Sequence, residues 1–464
     1  MAKPRLACWW DGFHVADFER YSSNGMTLRC QYTPAARDRW PVRTPLLSCS
    51  LPVQSKPQAA TNFLRGLLPE GQHLQALATR AKVSTTDTYA LLDRYGRDSA
   101  GALIITADSE PPPDRPGRVE PYDDNGFTAE VDDLEDNPLG LHDDSELSIA
   151  GLQDKLLLVQ LDDGQWGRPV QGYPSTHILK AEPARYPGLI RAEAAALTLA
   201  HTIGLAETAP QVVTVNGRDC IIVTRYDRYS VDGQTQRVHQ EDACQALNVN
   251  LDSQQGRAKY ERNGGPSLEA IAGELGPWAP DPTHELCQLV RHLTYTTIIG
   301  NADWHGKNIS LIHDTDGRIR LAPVYDTVPT RLFPTLRSPG AVSVAGDFNL
   351  DHVTIESIVS ETRSWNLTRA DTEAAVTETA EALQDAASGI DHEQLADLVA
   401  TRAETLLDTA AGAMTTVASQ FTENRSRPTS SSSVCEGVYD NGTKCTYQKK
   451  PGSNLCGRQH GRQH

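Results

Sequence analysis

Asn301-Ala302-Asp303-Trp304-His305-Gly306-Lys307-Asn308 runs into two short apolar-rich stretches, Ile309–His313 and Arg318–Ala322, separated by Asp316-Gly317. An Asp-Gly pair between two such stretches is a strong hairpin signal. In an antiparallel hairpin, the residue entering the first strand and the residue leaving the second return to the same end. Asn308 should therefore meet Asp326 there, with Asp303 just upstream. Asn, Asp and Gly are also ordinary turn residues, so a D-x4-N spacing alone would read as a solvated loop. The hairpin and the second Asp at its return end are independent constraints, and together they favour a metal site.

Upstream of this string lie elements that could serve the same chemistry. Ser148-Ile149-Ala150-Gly151-Leu152-Gln153-Asp154-Lys155 precedes a strand expected over Leu156–Leu161, and small residues at such a turn let backbone N–H groups approach a phosphate. The turn matches neither common phosphate-loop pattern, so alone it is weak. Thr176–Lys180 reads as a strand ending in Lys. The helix expected from about Leu189 has an apolar stripe of Ile190, Ala194, Leu197 and Ala200, with Glu193 in its opening turns. Val212–Val215, Asn216-Gly217 and Cys220–Tyr226 form a second hairpin, continued by Arg225-Tyr226-Asp227-Arg228.

The order is phosphate turn, Lys strand, Glu helix, hairpin, hinge, helical region, Asp, metal hairpin. Protein kinases place the same roles in the same order. A strand Lys pairs with a helix Glu and grips phosphates. One Asp receives the substrate hydroxyl proton, an Asn five residues later holds Mg²⁺, and an Asp after the next strands holds Mg²⁺. Lys180 as a surface Lys and Glu193 as a complement to the helix dipole is the competing reading of that pair.

At 464 residues the chain has room for two or three domains with real cores. A net charge of −17 argues against a protein that grips nucleic acid over its whole surface. No stretch approaches the roughly eighteen apolar residues of a membrane span. The N-terminus lacks the pattern of a secretion signal. A cytoplasmic protein is expected, with Cys8, Cys30, Cys49, Cys220, Cys244 and Cys287 as reduced thiols.

Composition divides the chain into a folded module over 1–108, a Pro- and acid-rich linker over 109–146, and a catalytic region over 147–420. The last splits into a small lobe (147–228) and a large lobe (229–420). Helical spacing recurs over Leu367–Ser388 and His392–Ser419. A Ser-rich tether covers 421–434. The tail 435–464 carries Cys435, Cys445, Cys456 and His460, which could complete a tetrahedral Zn²⁺ knuckle whose metal supplies the folding energy. The wide spacing between Cys435 and Cys445 leaves a structureless tail with incidental cysteines as the alternative.

The ensemble resembles the HipA-type serine/threonine kinases, toxins of bacterial toxin–antitoxin pairs. Its marks are Leu67–Gly71, Ser99–Ala102, Ser148–Lys155, Thr176–Lys180, Gln240–Gln245, Lys259–Glu261 with Gly264–Pro266, Asn301–Asn308 and Pro323–Asp326. The resemblance implies an α+β, two-lobed protein-kinase-like fold, with an N-terminal α/β module and a helical C-terminal lobe. It implies ATP and Mg²⁺ as cofactors. On this chain Asp303 would be the catalytic base, Asn308 and Asp326 the Mg²⁺ ligands, and Lys180 a phosphate ligand. Ala150, Gly151, Leu152, Gln153, Asp154 and Lys155 would line the phosphate loop. Thr224, Tyr226, Gln240, His305 and Lys307 would lie near the nucleotide. Ser148 would be an autophosphorylation site that silences the enzyme, since a phosphoserine there would repel ATP phosphates. Implied partners are a translation component such as an aminoacyl-tRNA synthetase as substrate, and a helix-turn-helix antitoxin of HipB type through which DNA is met indirectly. Two other functions stay open: a small-molecule kinase of the same architecture, and a non-catalytic partner of a repressor. The intact Asp303, Asn308, Asp326 and Lys180 set speaks against the latter.

Overall fold

A computed structural model describes residues 5–21, 26–107, 117–135, 137, 139–140, 154–336 and 339–423. Contacts divide the chain into Met1–Ala410 and Ala411–His464. The first unit is mixed α/β.

Its N-terminal sheet contains β1 (Arg5–Trp10), β2 (Phe13–Arg20), β3 (Leu28–Tyr32), β4 (Gln58–Ala59) and β5 (Ile104–Ala107), in the order β4-β3-β2-β1-β5. β1 turns into β2 through Asp11-Gly12, both at positive φ (48° and 72°), which is the two-residue turn that matches strand twist. Leu6, Cys8 and Trp10 alternate into the core, as a half-buried strand requires. That core also contains Leu157 and touches Ile178, so it continues into the next sheet.

The second sheet orders β6 (Arg118–Pro121), β7 (Lys155–Gln160), β8 (Trp166–Val170), β9 (His177–Ala181), β10 (Gln211–Val215) and β11 (Arg218–Thr224) as β10-β11-β9-β7-β8-β6. Asn216 and Gly217 take positive φ (48° and 80°) in the β10–β11 turn, as the Asn-Gly pair predicts. Residues 117–135, expected from composition to be linker, instead supply edge strand β6 and the helix Asp124–Asp132. Val131 and Leu134 there are fully buried against Leu156, Leu158 and Leu179. Two apolar anchors spaced within an acidic stretch outweigh its average polarity.

A ribbon of β12 (Arg228–Val231) and β13 (Gln234–Arg237) follows. Next comes a three-stranded sheet of β14 (His239–Asp242), β15 (Ser310–His313) and β16 (Ile319–Leu321). The β15–β16 hairpin forms where expected, but its turn differs. Only Gly317 takes positive φ (83°), and a Cβ there would lie 2.3 Å from Thr44 Cγ2. Helices Pro282–Ile299, Arg369–Ala387 and Glu393–Glu423 carry the large apolar core with Leu268–Leu275. Among the described residues no helix is long and apolar enough to cross a membrane.

A candidate nucleotide and phosphoryl-transfer site

Lys180, the penultimate residue of β9, is buried, and the helix Leu189–Thr202 presents Glu193 one turn in. Lys180 Nζ lies 2.6 Å from Glu193 Oε1 and 2.5 Å from Asp326 Oδ1. Burial opposes charge on Lys180, but the Asp326 and Glu193 carboxylates outweigh it and hold the ammonium above its ordinary pKa. Asp326 is held well below the usual carboxylate range: burial works against this, and Lys180 overcomes it. Asp326 also sits in the left-handed region (φ 49°), a conformation that Asp and Asn tolerate better than most residues.

β7 and β9 pair so that Lys155 stands directly opposite Lys180. Lys155 is buried, and its pKa falls to about 8, through burial first and then the neighbouring Lys180 charge, against the pull of Asp326.

The Asp303 loop is held by its own backbone. Its N–H donates to Asn301 Oδ1 at 2.9 Å, and Asn308 Nδ2 donates to the Asp303 carbonyl at 3.1 Å. The Tyr260 hydroxyl donates to Asp303 Oδ1 at 2.8 Å. Because the Asn308 amide N–H is spent inside the loop, its Oδ1 remains as an acceptor. Carboxylate oxygens of Asp326 and the Asn308 carboxamide oxygen are hard donors, the type Mg²⁺ takes.

One cavity of about 500 Å³ gathers Lys155, Lys180, Glu193, Thr224, Tyr226, Gln240, Asp303, His305, Lys307, Asn308 and Asp326. Tyr226 donates to Gln240 Oε1 at 2.6 Å, which orders the wall between β11 and β14. Lys307 is not free to move: it pairs with Asp242 at 2.7 Å and donates to the Gly66 carbonyl at 3.3 Å. His305 is buried edge-on to Tyr260, with ring centroids 5.1 Å apart. Burial and then Lys259 push its pKa well below 6.5, so it is neutral. Asp154 pairs with buried His73 at 3.1 Å. Ser148, Ala150, Gly151, Leu152 and Gln153 lie outside the described residues, as do Cys435, Cys445, Cys456 and His460.

Several site residues lie in stretches that carry the family resemblance, yet the sequence assigns them no role. Asp242 opens a capping box with Gln245 at the start of Ala243–Ala246, a local signal that was available. Glu70 pairs with Lys259 at 3.2 Å across the cavity wall, and nothing local announces a pair so distant in sequence. The Tyr260 hydroxyl and the Tyr325 hydroxyl, which donates to the Lys307 carbonyl at 2.7 Å, are equally silent.

The chain matches the HipA N-terminal domain over residues 6–106 and the HipA-like C-terminal domain over residues 147–388. It is 36% identical over 352 residues to Y4mE of Sinorhizobium fredii, a provisionally named kinase, covering 73% of this chain and 80% of that one. To the serine/threonine-protein kinase toxin HipA of Shewanella oneidensis it is 28% identical over 301 residues, covering 62% of this chain and 67% of that one. In fold it resembles the chain from the Shewanella oneidensis complex of HipA, HipB and operator DNA, with a TM-score of 0.74 and 22% identity. That match covers 87% of this chain and 97% of the other. The chain belongs to the HipA-like family.

Proposed function

We propose that this protein is a Mg-ATP-dependent serine/threonine kinase of HipA type with two lobes facing the cavity. The observation that carries the reading is Lys180 held between Glu193 and Asp326, in the cavity that also holds Asp303 and Asn308. Lys180 would bind nucleotide phosphates, with Tyr226 and Gln240 beside the base. Asn308 and Asp326 would hold Mg²⁺, which when bound neutralises charge on the transferred phosphoryl group. The acceptor hydroxyl oxygen bonds to the γ-phosphorus as the bond to ADP breaks, and its proton passes to Asp303. Tyr260, bonded to Asp303, orients that carboxylate.

The acceptor would be a protein Ser or Thr, in a translation component such as an aminoacyl-tRNA synthetase, with Ser148 of the chain itself as a second acceptor. As a toxin the kinase would be neutralised by a helix-turn-helix antitoxin of HipB type. The Shewanella relative from a HipA, HipB and DNA complex supports that partner class.

Incubation with labelled ATP and Mg²⁺ is expected to label the protein itself. Asp303→Asn should lose the label while retaining its circular dichroism spectrum. An Asp303→Asn protein that labels as well as wild type would sink the assignment of the base.

A pH dependence follows from Lys155. With its pKa lowered to about 8, it is cationic below that pH and neutral above it. Its attraction for phosphate is therefore present at low pH and lost as pH rises through about 8. Phosphates would raise its pKa in the complex, so nucleotide binding takes up a proton there. ATP affinity should fall by up to about tenfold per pH unit between the two pKa values. Calorimetric Kd values from pH 7 to 9.5 check this, and a Lys155→Met protein should show a much flatter profile.

A further inference from the structure

The β14–β15 pair alternates its faces. Gln240, Asp242 and Ser310 line the nucleotide cavity, while His239, Glu241, Leu311 and His313 point to the opposite side. On that reverse face the N-terminal segment around residues 44–51 packs against the sheet. Glu241 Oε1 accepts from the Cys49 N–H at 2.8 Å and lies 2.9 Å from His313 Nε2. His313 Nδ1 lies 2.7 Å from the Pro45 carbonyl.

A carbonyl can only accept, so His313 Nδ1 donates to Pro45, and Nε2 faces the Glu241 carboxylate at 2.9 Å. The second oxygen of Glu241, fully buried, has no hydrogen-bond partner. A cation there would satisfy it, because a buried carboxylate oxygen without a partner is costly. The Cys49 Sγ, a Glu241 oxygen and a His313 nitrogen lie within 4.8 Å of one another, and they are the one such His, Cys and acid trio among the described residues.

We propose that Cys49, Glu241 and His313 bind a structural Zn²⁺. Thiolate, imidazole and carboxylate are the zinc donor set, and bonds of about 2.0–2.3 Å would place tetrahedral donors roughly 3.3–3.8 Å apart. The trio's ligand atoms lie within 4.8 Å of one another, so a bound ion would draw them together. The His313 bond to a backbone carbonyl is the orientation device that metal-bound imidazoles use. Binding releases the Cys49 thiol proton to solvent and joins the N-terminal segment to the reverse face of the strands that line the cavity. This inference does not depend on the kinase reading.

The test uses the full-length chain with Cys435→Ser, Cys445→Ser and Cys456→Ser, which silences the tail. After equilibration with Zn²⁺ and gel filtration, elemental analysis should find about one zinc per folded chain. Replacement by Co²⁺ should give a thiolate-to-cobalt charge-transfer band. Cys49→Ser should remove that band without changing the circular dichroism spectrum, and His313→Gln should lower zinc retention at least tenfold. A folded protein that retains no zinc, as an imidazolium–Glu241 ion pair would give, overturns the proposal. A cobalt band that survives Cys49→Ser overturns it as well.

Discussion

Asp326→Asn is expected to lower kcat for phosphoryl transfer by about 10³ or more, the scale lost when a preorganised charge-stabilising group is removed. The substitution is nearly isosteric, and Asn accepts the left-handed backbone that Asp326 adopts at φ 49°. The chain path should therefore survive, which confines the change to charge. That charge does two things in the structure. It pairs with Lys180 at 2.5 Å, and it offers the anionic oxygen of the Asp326 and Asn308 donor set. Lys180 would keep Glu193 at 2.6 Å, so the lysine stays in place while the proposed Mg²⁺ site would lose its charged ligand. Sign matters for the pH profile. The Asp326 pKa lies well below the ordinary range, so the wild-type group is ionised from mildly acidic to basic pH. The rate deficit of Asp326→Asn should consequently be flat from pH 6 to 9, unlike the Lys155-dependent affinity. Steady-state kcat at saturating ATP and Mg²⁺ checks this, with far-UV circular dichroism as the control. A variant within tenfold of wild type would remove Asp326 from the metal.

Why so much of this site could be read from sequence is itself physical. Asp303 and Asn308 share one loop, and Asp326 is tied to them by a hairpin whose turn chemistry is local. Lys180 and Glu193 sit on adjacent elements whose periodicity is strong. Such constraints act over a few residues, so composition and spacing expose them. The turn at Asp316-Gly317 shows the limit: the pair marked the hairpin, but the approach of Thr44 and the single positive φ at Gly317 come from packing against a distant segment. The Asp154 pair is hidden for the same reason, since its partner His73 belongs to the N-terminal module. The stretch 117–135 was misjudged because average polarity hides two buried anchors, Val131 and Leu134. Lys259 with Glu70, and Cys49 with Glu241 and His313, join segments remote in sequence, and only the tertiary fold reveals them.

Asp98→Ala should cost about 3–5 kcal/mol of stability, the penalty for breaking a buried ion network from one side. Asp98 is 1% exposed and belongs to the N-terminal module, yet its partners lie in the hinge and the ribbon after it. Its carboxylate is 3.0 Å from Arg228, 3.3 Å from Arg237 and 3.9 Å from Arg225, and it accepts the Ser175 hydroxyl at 2.7 Å. Asp227 supplies the second negative charge, 2.8 Å from Arg225 and 2.9 Å from Arg228. Removing Asp98 leaves three buried guanidiniums around one carboxylate, and no solvent is near to repair the imbalance. Burial raises the Asp98 pKa, but Arg237, Arg228 and Arg225 overcome it and hold it below the usual value. Its stabilisation is thus complete above the unfolded carboxyl pKa near ~3.9 and is lost as pH falls through the folded value. Urea unfolding at pH 7 should show the full deficit, and the gap between variant and wild type should narrow toward pH 3. The network also fixes the backbone on either side of Tyr226, whose hydroxyl reaches Gln240 in the cavity. The milder Asp98→Asn, which keeps the Ser175 contact, should therefore raise KM for ATP more than it lowers kcat. An Asp98→Ala protein destabilised by less than about 1 kcal/mol would mean that the three arginines find other compensation, and that the N-terminal module does not brace the hinge through charge.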